Sequence, residues 1–446
     1  MNPPLTLRND ESMSTETITL TGGIDVGNGY VKGVIRNTAT GVVDDIDLPS
    51  AVVSTSRTSP KVPAADATAA EVLAPTAAAG TDDFYNRLDA TMITALVAAA
   101  DRRMFGRSAL SVRGSKFTEF EVLGKHSKAD QELSKVLVLG VFAAKALRDH
   151  VGATGSLPDH ELRVRVRAGL ALPIAEFVAR RQSYAAEFMG VPGAADPAVH
   201  LVTIKNFNTP VSVRLEFDDV QVMAEGASAQ FAITDKGEPL AQALLGDLRT
   251  RDASIVEGVT AADLVQVRNT IGVDVGEGTV NFPVFSDGRF NSEAASTLQE
   301  GYGTALMNAM ERMNESDSTL QFSSRKQLAD FLQAVPSPLQ QSRHTRAAGF
   351  VEDEASYLVD EITSSFGEVL SQAGAMTEVV YVYGGGAGPL KQLLYPALLK
   401  AAGDIPVLYL DSGYSRHLNR EGLYIAARHV EGQAVNKAKH KSKAVA

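Results

Sequence analysis

Two glycine-containing segments decide how this chain folds: GGIDVGNGYVKGVI, from Gly22 to Ile35, and IGVDVGEGTVNFPVF, from Ile271 to Phe285. In each, apolar residues flank an Asp-x-Gly-x-Gly step, which predicts a strand, a tight turn and a second strand. The repeat of one pattern about 250 residues later in the chain predicts an internal duplication.

The first turn has the chemistry of a phosphate site. Its glycines allow backbone N–H groups to approach an anion closely, and Lys32 adds a compact positive charge. Asp25 ends its strand, where a carboxylate could hold a hydrated Mg²⁺. Taken alone, the segment is equally compatible with a glycine hairpin and a solvated Asp25. The expected nucleotide contacts are Gly27, Asn28, Gly29, Tyr30 and Lys32.

The second turn repeats this arrangement around Asp274. If the two turns face each other, Asp25 and Asp274 lie on either side of one polyphosphate and hold Mg²⁺ through water. Positioning and charge stabilisation are most of what phosphoryl transfer requires. The expected contacts here are Gly276, Glu277, Gly278 and Thr279.

A third segment, Val379 to Leu390, predicts a buried strand followed by a glycine-rich turn and a helix that starts near Pro389. A surface without side chains at a helix N-terminus suits a flat base and the adjacent phosphates. As a lone motif it has little specificity. Its expected contacts are Gly384, Gly385, Gly386 and Ala387.

Together and in this order, the three segments resemble the phosphate-1, phosphate-2 and adenosine motifs of the actin, Hsp70 and sugar-kinase superfamily. The resemblance extends over roughly residues 18–430. It implies an α/β actin-like fold, in which two duplicated RNase H-like domains surround a central nucleotide cleft. The implied cofactors are ATP, or alternatively GTP, and Mg²⁺.

The segment VQVMAEGASAQFAI, which begins at Val220, narrows the resemblance to the bacterial ParM/Alp-type actins. In those proteins a Glu at the start of the interdomain helix orients the attacking water. By position Glu225 inherits this role and Gln230 is a weaker candidate, whereas the alternative makes Glu225 only a carboxylate that the helix dipole favours. The implied catalytic residues are Glu225, Asp274 and Asp25.

Other segments also resemble the ParM/Alp-type actins. Leu48-Pro49-Ser50 follows the first hairpin, and the segment from Glu300 to Thr304, with Gly303, stands where these proteins line the nucleotide cleft. Asn419 to Tyr424 resembles their closing Asn-x-x-Gly helix, which returns the C-terminus to the first domain.

The resemblance implies a filament-forming ATPase that polymerises with Mg-ATP and hydrolyses it to drive plasmid or phage DNA segregation. Its implied partners are further copies of itself and a small DNA-binding adaptor on a centromere-like site. Two alternatives share the ATPase core. One is a small-molecule kinase, which would need a base and a pocket for the acceptor hydroxyl. The other is a chaperone-like ATP switch.

Composition restricts the partners. The 446 residues include 42 Lys and Arg against 53 Asp and Glu, for a net charge of -11, which argues against direct DNA binding by the body of the protein. The basic tail is expected to be solvated, and the alternative is a weak contact with DNA or an acidic partner. No cysteine is present, which excludes a disulfide framework and a thiolate site. We expect a cytoplasmic protein without direct membrane contact.

Composition also gives the expected domain limits. The leader 1–17 is expected to be disordered, and Ala- and Pro-rich residues 54–81 are expected to form a mobile insert. Domain I is predicted to comprise 18–240 plus 412–430, and domain II 269–411, with a connecting insert at 241–268. Residues 431–446 are predicted to form a basic flexible tail.

Overall fold

The computed structural model describes residues 17–55, 82–112, 116–119, 127–190, 197–251, 257–410 and 412–429. The predicted leader (apart from residue 17), the predicted mobile insert from residue 56 onward and the predicted basic tail lie outside the described residues. In these ranges no helix has both the length and the apolar character needed to cross a membrane.

The first half of the chain builds one large sheet and the helices that cover it. Its strands are β1 (Thr17–Val26), β2 (Tyr30–Asn37), β3 (Val43–Pro49), β4 (Ala51–Thr55), β5 (Asp89–Ile93), β6 (Arg102–Phe105), β7 (Lys116–Glu119), β8 (Leu162–Leu172), β9 (Val199–Ile204) and β10 (Val211–Ala224). Its helices are a 3₁₀ turn (Asp82–Arg87), α1 (Gly106–Ser111), α2 (Glu132–Thr154) and α3 (Ile174–Met189).

The second half builds a smaller sheet. Its strands are β11 (Thr270–Val275), β12 (Val280–Phe282), β13 (Val284–Ser286), β14 (Arg289–Phe290), β15 (Ser296–Leu298), β16 (Val379–Tyr383) and β17 (Val407–Tyr409). Its helices are α4 (Ala227–Arg251, interrupted at Gly237), α5 (Ala261–Gln266), α6 (Tyr302–Ser316), α7 (Arg325–Gln333), α8 (Gln341–Ala373), α9 (Ala387–Ala402), α10 (Ser412–Ser415) and α11 (418–429).

Both sheets contain the same strand arrangement. In the first sheet β1 pairs antiparallel with β2 and parallel with β8, and β8 pairs parallel with β10. In the second sheet β11 pairs antiparallel with β12 and β13 and parallel with β16, which pairs parallel with β17. A hairpin followed by two parallel strands therefore occurs twice, so the predicted α/β duplication is confirmed.

Separate hydrophobic cores support the two sheets. The first core packs α2, through residues such as Leu137 and Phe142, against β1, β8 and β10. A second core packs α8 and α9 on one face of the smaller sheet. Helices α4 and α5 cover the opposite face, where Leu245 meets Tyr381 and Leu408. The predicted domain limits stay a prediction, but each sheet has a core large enough to stabilise it.

The C-terminal helix α11 lies directly on the first sheet. Gly23 of β1 and Gly169 of β8 are register partners. A Cβ atom at Gly23 would lie 2.1 Å from the backbone nitrogen of Tyr424, and one at Gly169 would lie 2.1 Å from the carbonyl oxygen of Leu423. Any larger residue would collide with the helix backbone, so these glycines set how closely α11 approaches. The prediction that this segment returns to the first half of the chain is confirmed.

We predict that Gly169→Ala destabilises the protein by roughly 2 kcal/mol or more, because a backbone atom cannot rotate away from the new methyl group. The matched control is Gly349→Ala in α8, where no described atom lies within 4 Å of the added Cβ. The control should stabilise the helix by about 0.5–1 kcal/mol. Urea unfolding of both variants measures the difference. Equal stabilities would contradict the close packing of α11.

Candidate active site

The two Asp-x-Gly-x-Gly turns have the same backbone geometry. The N–H of Gly27 donates to the carbonyl of Tyr30 at 3.0 Å, and the N–H of Gly276 donates to that of Thr279 at 2.9 Å. In register, Asp25 pairs with Lys32 on β2, and Asp274 pairs with Asn281 on β12. Asp25 and Asp274 are therefore equivalent positions, as are Lys32 and Asn281.

The tips of the two turns touch each other. A Cβ atom at Gly29 would lie 1.3 Å from Oε2 of Glu277, and one at Gly278 would lie 1.8 Å from Nδ2 of Asn28. The side chain of Asn28 therefore lies against Gly278, and the side chain of Glu277 lies against Gly29. A larger residue at either position would have to displace the Glu277 or Asn28 side chain that now lies there.

A cavity of about 300 Å³ lies between the turns, a size typical of small-molecule sites. Most of the predicted site residues line it: Asp25, Gly27, Asn28, Gly29, Tyr30, Lys32, Glu225, Asp274, Gly276, Glu277, Gly278, Thr279, Gly384, Gly385 and Gly386. Three segments far apart in sequence therefore converge on one site.

Three predicted contacts are not part of the cavity wall. Ala387 is fully buried in the core of the second sheet. Gly303 donates its N–H to the carbonyl of Glu277 at 2.8 Å, so it supports the second turn from behind. Glu300 is half-buried outside the wall. The weaker candidate Gln230 also lies outside the wall, and its Oε1 accepts a hydrogen bond of 3.4 Å from Thr270.

The third glycine segment packs against the second turn. Gly384 has a φ of 100°, and a Cβ atom there would lie 2.4 Å from the carbonyl oxygen of Val275. Gly386 donates its N–H to the same oxygen at 2.8 Å. A left-handed residue with so little space must be glycine, which explains why Gly384 follows β16.

Burial dominates the electrostatics of the two aspartates. Loss of hydration raises the pKa of Asp25, although Lys32 and Lys128 oppose this effect. Burial raises the pKa of Asp274 to about 7, against a hydrogen bond of 2.7 Å from Asn419 Nδ2 that favours the ionised form. The pKa of Lys32 is lowered by burial despite the opposing attraction of Asp25. Burial therefore disfavours the ionised forms of both carboxyl groups at this site.

Glu225 lies on the cavity wall immediately after β10 and is held at both carboxylate oxygens. The ammonium group of Lys128 forms an ion pair with Oε1, and Asn281 Nδ2 donates to Oε2 at 3.2 Å. No motif in the sequence marks Lys128. Asn281, in contrast, could have been found by aligning the two duplicated segments, since it occupies the position of Lys32.

Basic residues absent from the sequence-based prediction also line the cavity. Arg325 and Lys326 open helix α7, and Arg416 precedes α11. Arg325 Nη1 lies 3.3 Å from Oε1 of Glu277, and Lys326 Nζ donates to the hydroxyl of Tyr30 at 2.6 Å. The guanidinium of Arg416 lies 5.0 Å from the centre of the Tyr30 ring. These residues add positive charge to the wall of the cavity, which suits an anionic ligand.

The donor set fits a hydrated Mg²⁺. Asp25 and Asp274 are buried carboxylates at equivalent positions of one cavity, and a dication would offset the charge that burial disfavours. Among the described residues, no three His, Cys, Asp or Glu side chains are grouped closely enough to hold a metal ion. Mg²⁺ commonly takes one or two carboxylates and keeps several waters, so two aspartates suffice.

Several solved structures share this fold. The actin-like protein Alp7A gives a TM-score of 0.58 at 15% identity, over 96% of this chain and all of Alp7A. Bacillus thuringiensis ParM with ATP gives 0.54 at 14% identity, over 93% and 99% of the two chains. A non-polymerisable quadruple mutant of pCBH ParM gives 0.53 at 13% identity, over 92% and 99%. The predicted actin-like fold is confirmed.

The sequence comparisons give a different result from the structural ones. The chain matches no protein-family model and no curated protein sequence. The fold is therefore shared at 12–15% identity. A shared fold does not determine the chemistry, which depends on the residues of the cavity.

We predict that the ligand-free protein loses stability as the pH rises from about 4 to about 7, because Asp274 has a raised pKa in the folded state. Below pH 3.8, the pKa of Asp274 in the unfolded chain, the carboxyl group is protonated in both the folded and the unfolded state. Above that pH the unfolded chain releases the proton, whereas the folded protein must either keep it or bury a charged carboxylate. Over this pH range the free energy of unfolding should fall by roughly 4 kcal/mol.

Asp274→Asn should reduce the dependence of stability on pH between about pH 4 and pH 7, and it should stabilise the ligand-free protein at pH 8. The same substitution should weaken Mg-ATP binding. Thermal unfolding between pH 5 and pH 8 and titration with a fluorescent nucleotide measure the two effects. The control is Asp235→Asn on the exposed face of α4, which should leave both unchanged. A pH profile identical to that of the unmodified protein would contradict the burial of an ionisable Asp274.

Proposed function

We propose that this protein is an actin-like ATPase that binds Mg-ATP in the cavity between the two turns and couples hydrolysis to filament assembly. The observation that carries the proposal is the reciprocal contact of two glycine turns, each with a buried aspartate behind it. Two backbone nests that face one cavity can hold a polyphosphate from both sides. The ATP-bound ParM structure of the same fold supports ATP as the ligand.

In the proposed mechanism Asp25 and Asp274 would hold a hydrated Mg²⁺. Bound there, the ion would neutralise charge that develops on the phosphates. Lys32 and the N–H groups of the turns bind the phosphate oxygens. Glu225 orients the attacking water with the oxygen atoms that Asn281 and Lys128 hold in place.

The biological role that we propose follows from the resemblance to ParM/Alp-type actins and from the shared fold. Filaments of this protein segregate plasmid or phage DNA in the cytoplasm. A small DNA-binding adaptor, bound to a centromere-like site, captures the filaments. The net charge of -11 favours an adaptor over direct DNA contact. Competition between ATP and GTP for a fluorescent analogue would establish which nucleotide the cavity prefers.

We expect light scattering and pelleted protein to increase when Mg-ATP is added, and to remain at baseline with ATP and excess EDTA. Negative-stain electron microscopy of the same samples should show filaments. Nucleotide turnover without any polymer, stimulated by an added small-molecule acceptor, would instead indicate a kinase. Absence of both turnover and polymer would refute the proposal.

We predict that Glu225→Gln slows phosphate release by about 10²-fold or more, since the amide is a weaker acceptor for the attacking water. Nucleotide affinity and assembly should persist, so filaments should last longer after ATP addition. The matched control is Glu238→Gln, an exposed position on the helix that follows Glu225. Normal turnover in Glu225→Gln would remove this residue from the mechanism.

A further inference from the structure

A short turn before helix α2 is fixed by a set of buried and partly buried hydrogen bonds. The backbone N–H groups of Lys128 and Ala129 donate to the two carboxylate oxygens of Glu176, each at 2.9 Å. The hydroxyl of Ser134 donates to the carbonyl of Lys128 at 3.2 Å. Both backbone polar groups of Lys128 therefore have partners, and the start of its side chain has a defined direction.

The side chain of Lys128 runs from this turn to Glu225. It is 6% exposed, and its ammonium contacts Oε1 of Glu225 behind the cavity wall, whereas Glu225 itself faces the cavity. Burial acts to lower the pKa of Lys128, but the nearby carboxylates of Glu225 and Asp25 outweigh it and the pKa is raised. A buried cation that retains its charge needs a carboxylate partner, and here that partner is the proposed catalytic group.

Lys128 differs in this respect from the other buried lysines of the described chain. Lys145 is fully buried but pairs with Asp44 and Asp149, neither of which lines the cavity. Lys135 pairs with Glu187, which also lies away from the cavity. The three ion pairs of these two lysines link α2 to β3, to the next turn of α2 and to α3, whereas the pair made by Lys128 ends at the site.

We propose that Lys128 is a positioning residue for hydrolysis: it holds the carboxylate of Glu225 in the orientation that aligns water for attack on the terminal phosphate. The proposal rests on the proposed ATPase function. Asp25, Asp274 and the phosphates all repel Glu225. Without the lysine, Asn281 would be the remaining hydrogen-bond donor shown on this carboxylate. A carboxylate free to rotate away loses water alignment, which reduces kcat more than nucleotide affinity.

The test is a double-mutant cycle of Lys128→Met and Glu225→Gln in the full chain. Lys128→Met should lower kcat by about tenfold or more, with nucleotide Kd changed by less than about threefold. The double variant should be no slower than Glu225→Gln alone, because Lys128 acts through the group already removed. The double variant also removes both charges of the pair, so it should remain folded even if the single lysine variant does not.

The matched control is Lys135→Met, which removes a lysine of similar burial from the same helix region. It should change thermal stability while kcat stays within about twofold of the unmodified protein. If Lys128→Met retains normal kcat, or if its effect adds in full to that of Glu225→Gln, the positioning role is refuted. If the unmodified protein releases no phosphate, the ATPase proposal fails instead, so the two failures are distinguishable.

Discussion

The constraint on which the rest of this structure depends is the burial of three carboxylates around one small cavity. Asp25, Asp274 and Glu225 are each at most 9% exposed, and like charges in a poorly hydrated space repel strongly. The fold offsets this with a lysine beside Asp25, an amide on Asp274, and both a lysine and an amide on Glu225. A bound metal ion would complete the compensation.

These compensating groups come from four separate elements, so the site forms only when the whole fold is assembled. Lys32 lies on β2 and Asn281 on β12, Lys128 precedes α2, and Asn419 lies on α11. The close approach of α11 to the first sheet through Gly169 is therefore also a requirement of the site. If the helix stood farther from the sheet, the amide that holds Asp274 would move with it.

The sequence was sufficient to predict the parts of the site that depend on local backbone geometry. The two turns and the glycine run are contiguous segments, so each can be recognised from neighbouring residues in the sequence. The contact of Lys128 with Glu225 could not be predicted, because the two residues are 97 positions apart in the sequence. An ion pair between distant segments leaves no pattern in the local sequence. Ala387 was misplaced because the helix that begins there turns its side chain into the core.

The two duplicated segments carry different residues at equivalent positions around the cavity. Where the first half has Lys32 the second has Asn281, so one wall of the cavity carries a cation and the other an amide that binds Glu225. Where the first turn has Asn28 the second has Glu277, whose charge is met by Arg325. In the proposed mechanism, this difference gives the cavity one side that binds phosphate charge and another that holds the carboxylate of Glu225 for water.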